Sequence, residues 1–164
     1  MIVGIMADTH DRLSLVDKAV KVLNEQNVEL VLHAGDYIAP FVISRFKPLK
    51  ARFIGVFGNN DGERTGLKRK FKEINAEIHG NFADVAVDGL RIALLHGSED
   101  ELLQSLISLE SHDVIIHGHT HEAKAHRRGR TLIVNPGEVC GYLTEKSTVA
   151  LLNSQTKEVK IIEL

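Results

Sequence analysis

Short apolar runs punctuate this chain, and most of them break into glycine, aspartate, asparagine or histidine. Ile2 to Met6 reads as a first buried strand. Leu15, Val16, Ala19, Val20 and Leu23 then trace one face of an amphipathic helix, which Ser14 and Asp17 would open as an S-x-x-D capping box. A second strand is expected over Glu29 to His33, and Pro40 starts a short helix whose apolar side is Phe41, Val42, Ile43 and Phe46. Arg52 to Phe57 gives a third strand, followed by a basic helix over Arg64 to Asn75 with Leu67, Phe71 and Ile74 on its buried face. Asp88-Gly89 predicts a tight hairpin between Phe82 to Val87 and Leu90 to Leu95.

Glu101 to Leu109 forms the next helix, and Val114, Ile115 and Ile116 make a strand that stops before Gly118. His126 to Arg130 reads as a basic turn leading to a strand over Leu132 to Val134. Thr148 to Leu152 and Val159 to Ile162 pair as a final hairpin. Strands alternate with helices in the first half and dominate the second. That order points to an α/β sandwich of two sheets, or one mixed sheet, with helices outside.

Composition narrows the class. At 164 residues, 43% hydrophobic and 26% charged, residues 1–164 fit one globular domain. A net charge of -2 offers no general footprint for extended nucleic acid or an anionic membrane, and no apolar run approaches the roughly 20 residues of a span. The single cysteine, Cys140, rules out an internal disulfide and suits a reducing compartment, and the start of the chain lacks a basic leader. The expected location is the cytoplasm.

The polar residues at the strand ends carry the chemistry. Five strands run into Asp8 and His10, Asp36, Asn59, His96, and His119 with His121. In an extended segment, residues two apart point the same way, so His119 and His121 are expected to face one point. All seven are oxygen or nitrogen donors, more than the four a tetrahedral ion takes, so two metals are implied. Asp36 stands alone at its strand end, and a carboxylate with two oxygens is suited to bridge them. Without a thiolate, this mixed set suits manganese, nickel, iron, cobalt or zinc.

Other conspicuous residues carry less. His33 is read equally as a neighbour that orients Asp36 or as a core histidine, and His117 is left unassigned. His79, His112 and His126 are read as surface residues, Arg64 as a solvated residue at a helix start, and Cys140 as a small buried hydrophobe. Turn chemistry accounts for Asn135-Pro136-Gly137.

In order, Asp8-Thr9-His10, Gly35-Asp36, Gly58-Asn59-Asn60-Asp61, His96-Gly97 and Gly118-His119-Thr120-His121 resemble the D-x-H, G-D, G-N-H-D/E, lone histidine and G-H-x-H blocks of the calcineurin-like metallophosphoesterases. The likeness is strongest to their small single-domain phosphodiesterase branch. It implies a four-layer α/β/β/α sandwich of mixed sheets with outer helices. It also implies a metal-dependent phosphoric diester hydrolase that acts on a small phosphodiester through a metal-activated water, with manganese the foremost metal. By the same resemblance, Asp8, His10, Asp36 and His121 hold one metal, while Asn59, His96, His119 and the shared Asp36 hold the other.

Asn60 and Asp61 complete the third block and are the candidate catalytic pair. Asn60 stands where the family carries a histidine that helps protonate the leaving group, and an amide has no matched pKa for that task. A nuclease and a non-catalytic interaction scaffold, as in the retromer subunit of this fold, are the alternatives. A homo-oligomer whose neighbouring subunit lines the pocket is compatible with the sequence.

Overall fold

Along the central strands, successive side chains feed different cores. In the computed structural model, which describes residues 1–164, β1 (Ile2–Met6) turns Val3 and Ile5 one way and Met6 the other. β2 (Leu30–His33) does the same with Leu30 and Leu32 against Val31. Strands buried on both faces need apolar residues at every position, which is why these runs are continuous rather than alternating.

β1 and β2 belong to a six-stranded sheet with β3 (Arg52–Gly55), β4 (Glu77–Ile78), β10 (Thr148–Asn153) and β11 (Val159–Glu163), in the order β11-β10-β1-β2-β3-β4. β1 to β4 pair in parallel, and β10 joins β1 antiparallel. The second sheet has five strands in the order β5-β6-β7-β9-β8: β5 (Phe82–Val87), β6 (Leu90–Leu95), β7 (Val114–Ile116), β8 (Lys124–Arg128) and β9 (Thr131–Asn135). Its β6, β7 and β9 are parallel, flanked by antiparallel β5 and β8.

Val3, Ile5, Leu32, Ile92, Leu94, Val114, Ile116 and Val134 fill the space between the sheets. The outer face of the first sheet is covered by α1 (Leu13–Glu25), a 3-10 helix at Pro40–Phe46 and α2 (Arg64–Glu73). α3 (Asp100–Leu109) covers the second, packing Leu103 and Ile107 on Ala93, Leu95, Ile115 and Ile133. The result is the four-layer α/β/β/α sandwich of two mixed sheets. No helix is long and apolar enough to cross a membrane.

Several local expectations are corrected. Arg12, not Ser14, precedes the first turn of α1, no side chain caps it, and Asp17 pairs instead with Arg45 at 3.1 Å. The segment after Pro40 winds as the tighter 3-10 form. The basic stretch read as a turn is mostly strand: β8 hydrogen-bonds to β9 across Gly129, whose φ of +55° makes the reversal. All five β8 side chains are exposed, so no apolar alternation marks it. β4 is two residues long and gives no periodic signal. His112 is buried rather than at the surface, with its carbonyl accepting the Thr131 hydroxyl at 2.8 Å.

An aromatic cluster under the first sheet backs the loops that follow β2 and β3. Phe71 stacks on Phe53 at 5.1 Å and meets Tyr37 edge-on at 5.3 Å, and Tyr37 stacks on His33 at 4.0 Å. Replacing Phe71 by alanine is expected to cost about 3–5 kcal/mol in urea unfolding, as for other buried aromatics. Leu109→Ala, at a side chain 72% exposed, is expected to stay within about 0.5 kcal/mol.

Candidate metal centre

β1, β2, β3, β6, β7 and β9 deliver their following loops to one end of the sandwich, where both sheets contribute. Cross-sheet hydrogen bonds stitch these loops together. His119 N–H donates to Asp8 Oδ2 at 3.1 Å, and the Val139 and Cys140 amides donate to the Ala7 and Asp8 carbonyls at 3.1 and 3.0 Å.

The expected donors largely converge there. Asp8 and Asp36 are buried at 0% and 1% exposure. Asp36 Oδ2 lies 3.3 Å from His10 Nε2 and 3.4 Å from His96 Nε2, between two imidazole pairs. On one side His10 and His121 have ring centres 5.3 Å apart, with Asp8 Oδ1 at 3.7 Å and 3.5 Å from their Nε2 atoms. On the other, His96 and His119 stand edge to face at 5.1 Å.

His119 and His121 therefore serve opposite sides of Asp36, not one point. The segment does not stay extended: both residues have positive φ, +69° and +62°. Asp8, His10 and Asp36 share this left-handed backbone at +52°, +40° and +62°. Five of the seven expected ligands thus sit in a conformation that L-residues adopt at a cost, a pattern concentrated at functional sites.

The lone pairs make the case for a cation. His96 Nδ1 lies 2.7 Å from the Ala34 carbonyl, an acceptor only, so Nδ1 carries the hydrogen and Nε2 turns a lone pair toward Asp36. His121 Nδ1 likewise donates to Glu138 Oε2 at 2.7 Å, leaving Nε2 to face Asp8 Oδ1. Asp8 Oδ1, His10 Nε2 and His96 Nε2 are buried and have no hydrogen-bond partner. Acceptors aimed at one another in a buried site need positive charge between them. Protons supply it when no metal does. Burial disfavours a charged His10, but Asp36 and Asp8 outweigh it and hold its pKa at about 9. His96 is shifted upward against the same desolvation by Asp36. Burial would raise Asp36, yet His10, His96 and Asn60 hold it far below the usual carboxylate range. These residues fit one or more divalent ions.

The Asn59-Asn60-Asp61 turn departs from the simple reading. Asn59 is exposed, makes no hydrogen bond to the cluster, and lines a small cavity with Phe57, Arg64, Asn81 and Ser98. It is Asn60 that reaches Asp36, through its side-chain amide at 2.7 Å and its backbone N–H at 2.9 Å. Asp61 faces away from the rim. Its buried carboxylate accepts the backbone N–H groups of Gly58, Tyr37, Ile38 and Asp36 at 2.7, 2.7, 2.9 and 3.0 Å, clamping the Asp36 loop to the Gly58 loop. Asp61 thereby fixes how these two loops sit against each other. Arg64 staples the same turn by donating to the Asp61 carbonyl at 3.2 Å while stacking over Phe57.

Neighbouring residues extend this support. His33 is both things at once: buried under Tyr37, its Nδ1 accepts the Gly35 N–H at 3.0 Å, and burial keeps the ring neutral by lowering its pKa. His117 sits half-buried in a cleft with Lys124, His126 and Asn135. Asn135 does more than turn the chain, since its amide donates to the Gly118 carbonyl and the Thr120 hydroxyl, each at 3.0 Å. Sequence reasoning missed Glu138. It follows the Asn-Pro-Gly turn after β9, another strand-end carboxylate in line with the rest, and that placement was the available signal. Burial alone would raise its pKa, but Cys140, His121 and Thr144 bring it down to about 2. Cys140 is no inert hydrophobe: its thiol donates to Glu138 at 3.0 Å and lies near the His10 and His121 nitrogens. Burial and Glu138 push it up to about 12, so it stays a thiol.

Gly58 tests the clamp. A Cβ there would overlap the Asp36 carboxylate and approach its backbone nitrogen at 2.6 Å, whereas Gly62 has open space. Gly58→Ala should destabilise by about 1–3 kcal/mol and weaken metal binding, while Gly62→Ala should change unfolding by no more than about 1 kcal/mol, both read by urea titration with and without metal.

With this geometry in hand, the comparisons are concordant. The profile of a family described as the calcineurin-like phosphoesterase superfamily domain matches residues 1–157. Phosphodiesterase MJ0936 of Methanocaldococcus jannaschii is 44% identical over 165 residues, covering 100% of this chain and 99% of that protein. The solved structure of an archaeal phosphodiesterase superposes with a TM-score of 0.96 at 43% identity, each chain covered to 100%. Zinc-complexed Vps29 from Entamoeba histolytica shares the fold at a TM-score of 0.72 and 19% identity, covering 100% of this chain and 98% of its own. The chain belongs to the calcineurin-like phosphoesterase superfamily.

Proposed function

We propose that this protein is a metal-dependent phosphodiesterase that hydrolyses a small phosphodiester at a paired metal centre straddling Asp36. The observation that carries the reading is Asp36 Oδ2, within 3.3 and 3.4 Å of two Nε2 atoms that belong to different imidazole pairs. Asp8, His10, His121 and Asp36 would hold one ion. His96, His119 and Asp36 would hold the second, with an amide from the Asn59-Asn60 turn. The relative named as a phosphodiesterase supports the choice of diester over monoester. A pair of divalent cations, manganese foremost and nickel, iron, cobalt or zinc also suited, supplies neutralisation of phosphoryl charge and acidification of a water.

This chain's own side chains do the rest. Asp36 would be shared between the two ions, Asp8 and the imidazoles would set where charge can sit, and Asp61 with Asn60 holds the Asp36 loop and carboxylate in place. Asn60 donates to Asp36 and has no proton of matched pKa to give an ester oxygen, so the leaving group departs without help at this position. Esters of acidic alcohols or phenols are therefore the better substrates. Buried acceptors aimed at one another across Asp36 favour the catalytic reading over a non-catalytic scaffold.

Metal analysis and activity together decide the reading. Protein purified without chelator should carry close to two transition-metal ions per chain and hydrolyse bis-p-nitrophenyl phosphate. Chelation should abolish that activity and manganese restore it. Stoichiometry of one ion would remove the paired centre, and metal-free activity would remove the mechanism. Asp36→Asn should lower kcat/KM by about 10³-fold or more. Asn60→His should narrow the gap between p-nitrophenyl and alkyl leaving groups by supplying an acid worth up to about 10²-fold.

A pH dependence follows from His10. Its proton in the folded, metal-free chain persists to about 9, above the ordinary 6.5, so the stability it brings is full below pH 6.5 and lost as pH rises through about 9. A metal competes with that proton. Metal-free protein should thus melt progressively lower between pH 7 and about 9.5, and manganese affinity should rise across the same window, both followed by thermal melts and chelator competition.

A further inference from the structure

His121 is fixed at both ends. Its Nδ1 lies 2.7 Å from Glu138 Oε2, and its Nε2 faces Asp8 Oδ1 at 3.5 Å. Glu138 is fully buried and receives six donors. Besides His121 these are the Cys140 thiol at 3.0 Å, the backbone N–H groups of Tyr142, Leu143 and Thr144 at 2.9, 2.9 and 2.6 Å, and the Thr144 hydroxyl at 2.7 Å. An ionised carboxylate only accepts, so the imidazole must present Nδ1–H to it, which makes Nε2 the one nitrogen that can offer a lone pair. A metal ligand needs that tautomer.

The same carboxylate organises the rim. Glu138 gathers three consecutive backbone amides, and the loop so held exposes Tyr142 and Leu143 beside the centre. Arg12, two residues past His10, donates to the Cys140 carbonyl and lies 5.0 Å over the Tyr142 ring. One half of the donor set, His10 and His121, is therefore tied to one loop from two directions.

We propose that Glu138 is a positioning residue: it sets His121 in the Nδ1–H tautomer that frees Nε2 for a metal, and through the same oxygens holds the Tyr142–Thr144 loop against the site. Loss of Glu138 releases ligand and loop together. The affinity part of this inference rests on the metal-centre reading above; the tautomer part does not.

The test compares Glu138→Gln with Thr144→Val. A glutamine amide places an NH₂ among converging donors and cannot accept them all, whereas Thr144→Val removes the hydroxyl's bonds to Glu138 and Lys146 and leaves the His121 contact intact. Imidazole ¹⁵N shifts of metal-free protein at neutral pH report the tautomer, chelator competition reports manganese affinity, and amide exchange reports the loop. Wild type and Thr144→Val should show Nδ1–H at His121, and Glu138→Gln should not. Manganese affinity should fall about 10- to 100-fold in Glu138→Gln and less than about 3-fold in Thr144→Val. Exchange at Tyr142 to Thr144 should quicken in Glu138→Gln.

An unchanged tautomer and affinity in Glu138→Gln would overturn the proposal. So would an equal loss of affinity in Thr144→Val, because that pattern belongs to loop stability alone. Should Glu138→Gln fail to fold, Glu138→Asp, which withdraws the charge by one methylene, carries the same tautomer readout. Wild-type protein that binds no manganese would sink the metal-centre reading, while the ¹⁵N shifts would still decide the role of Glu138.

Discussion

Two carboxylates buried at the seam between two sheets set the terms for the rest of this structure. Asp8 and Asp36 are almost wholly removed from water, and an ionised carboxylate in such a place requires compensation by charge and by hydrogen bonds. His10 and His96 provide the charge by protonation, and together with His119 and His121 they are placed to hold a cation. They come from both sheets, so neither sheet can build the centre alone. The interlayer core of Val3, Ile5, Leu94, Ile116 and their neighbours fixes the distance across which those side chains must meet.

Meeting there requires an unusual backbone. A left-handed residue other than glycine costs about 1–2 kcal/mol, somewhat less for aspartate, and this site contains five among the seven expected ligands. What offsets the strain is a ring of side chains that bond to the loops rather than to any substrate. Asp61 gathers the amides around Asp36, His33 accepts the Gly35 N–H, Asn135 holds the Gly118 carbonyl, and Glu138 joins His121 to the loop beyond β9. Gly58 belongs to this ring by what it lacks, since Asp36 occupies the space a side chain would take. The support is local, polar and buried, and aromatic packing around Tyr37 keeps its floor rigid.

The sequence made the strand ends legible because an apolar run followed by a polar donor is a local pattern. Asp8, His10, Asp36, His96, His119 and His121 were readable in that way, and so were the layers of the sandwich once the five blocks matched a known family. Geometry that depends on distant partners was not readable. The alternation in Gly118-His119-Thr120-His121 suggested a shared direction, but the left-handed turns send the two rings to opposite sides of Asp36. β8 has no apolar face, and only its pairing with β9 makes it a strand. Asp61 sat in a recognised block, yet its work lies in four backbone amides that no spacing rule reveals. Glu138 was hidden behind a turn motif that already had a sufficient explanation. The Ser14 cap failed for a simpler reason: Asp17 found Arg45, and the chain entered α1 at Arg12 instead.

The exposed β8 edge has a bearing on how copies of this protein meet. An unpaired strand at a sheet margin invites a second chain to extend the sheet, but Lys124, Arg127 and Arg128 stand along this one. Two such margins brought side by side would set Lys124, Arg127 and Arg128 of one against those of the other. Lateral growth into a continuous ribbon is thereby discouraged.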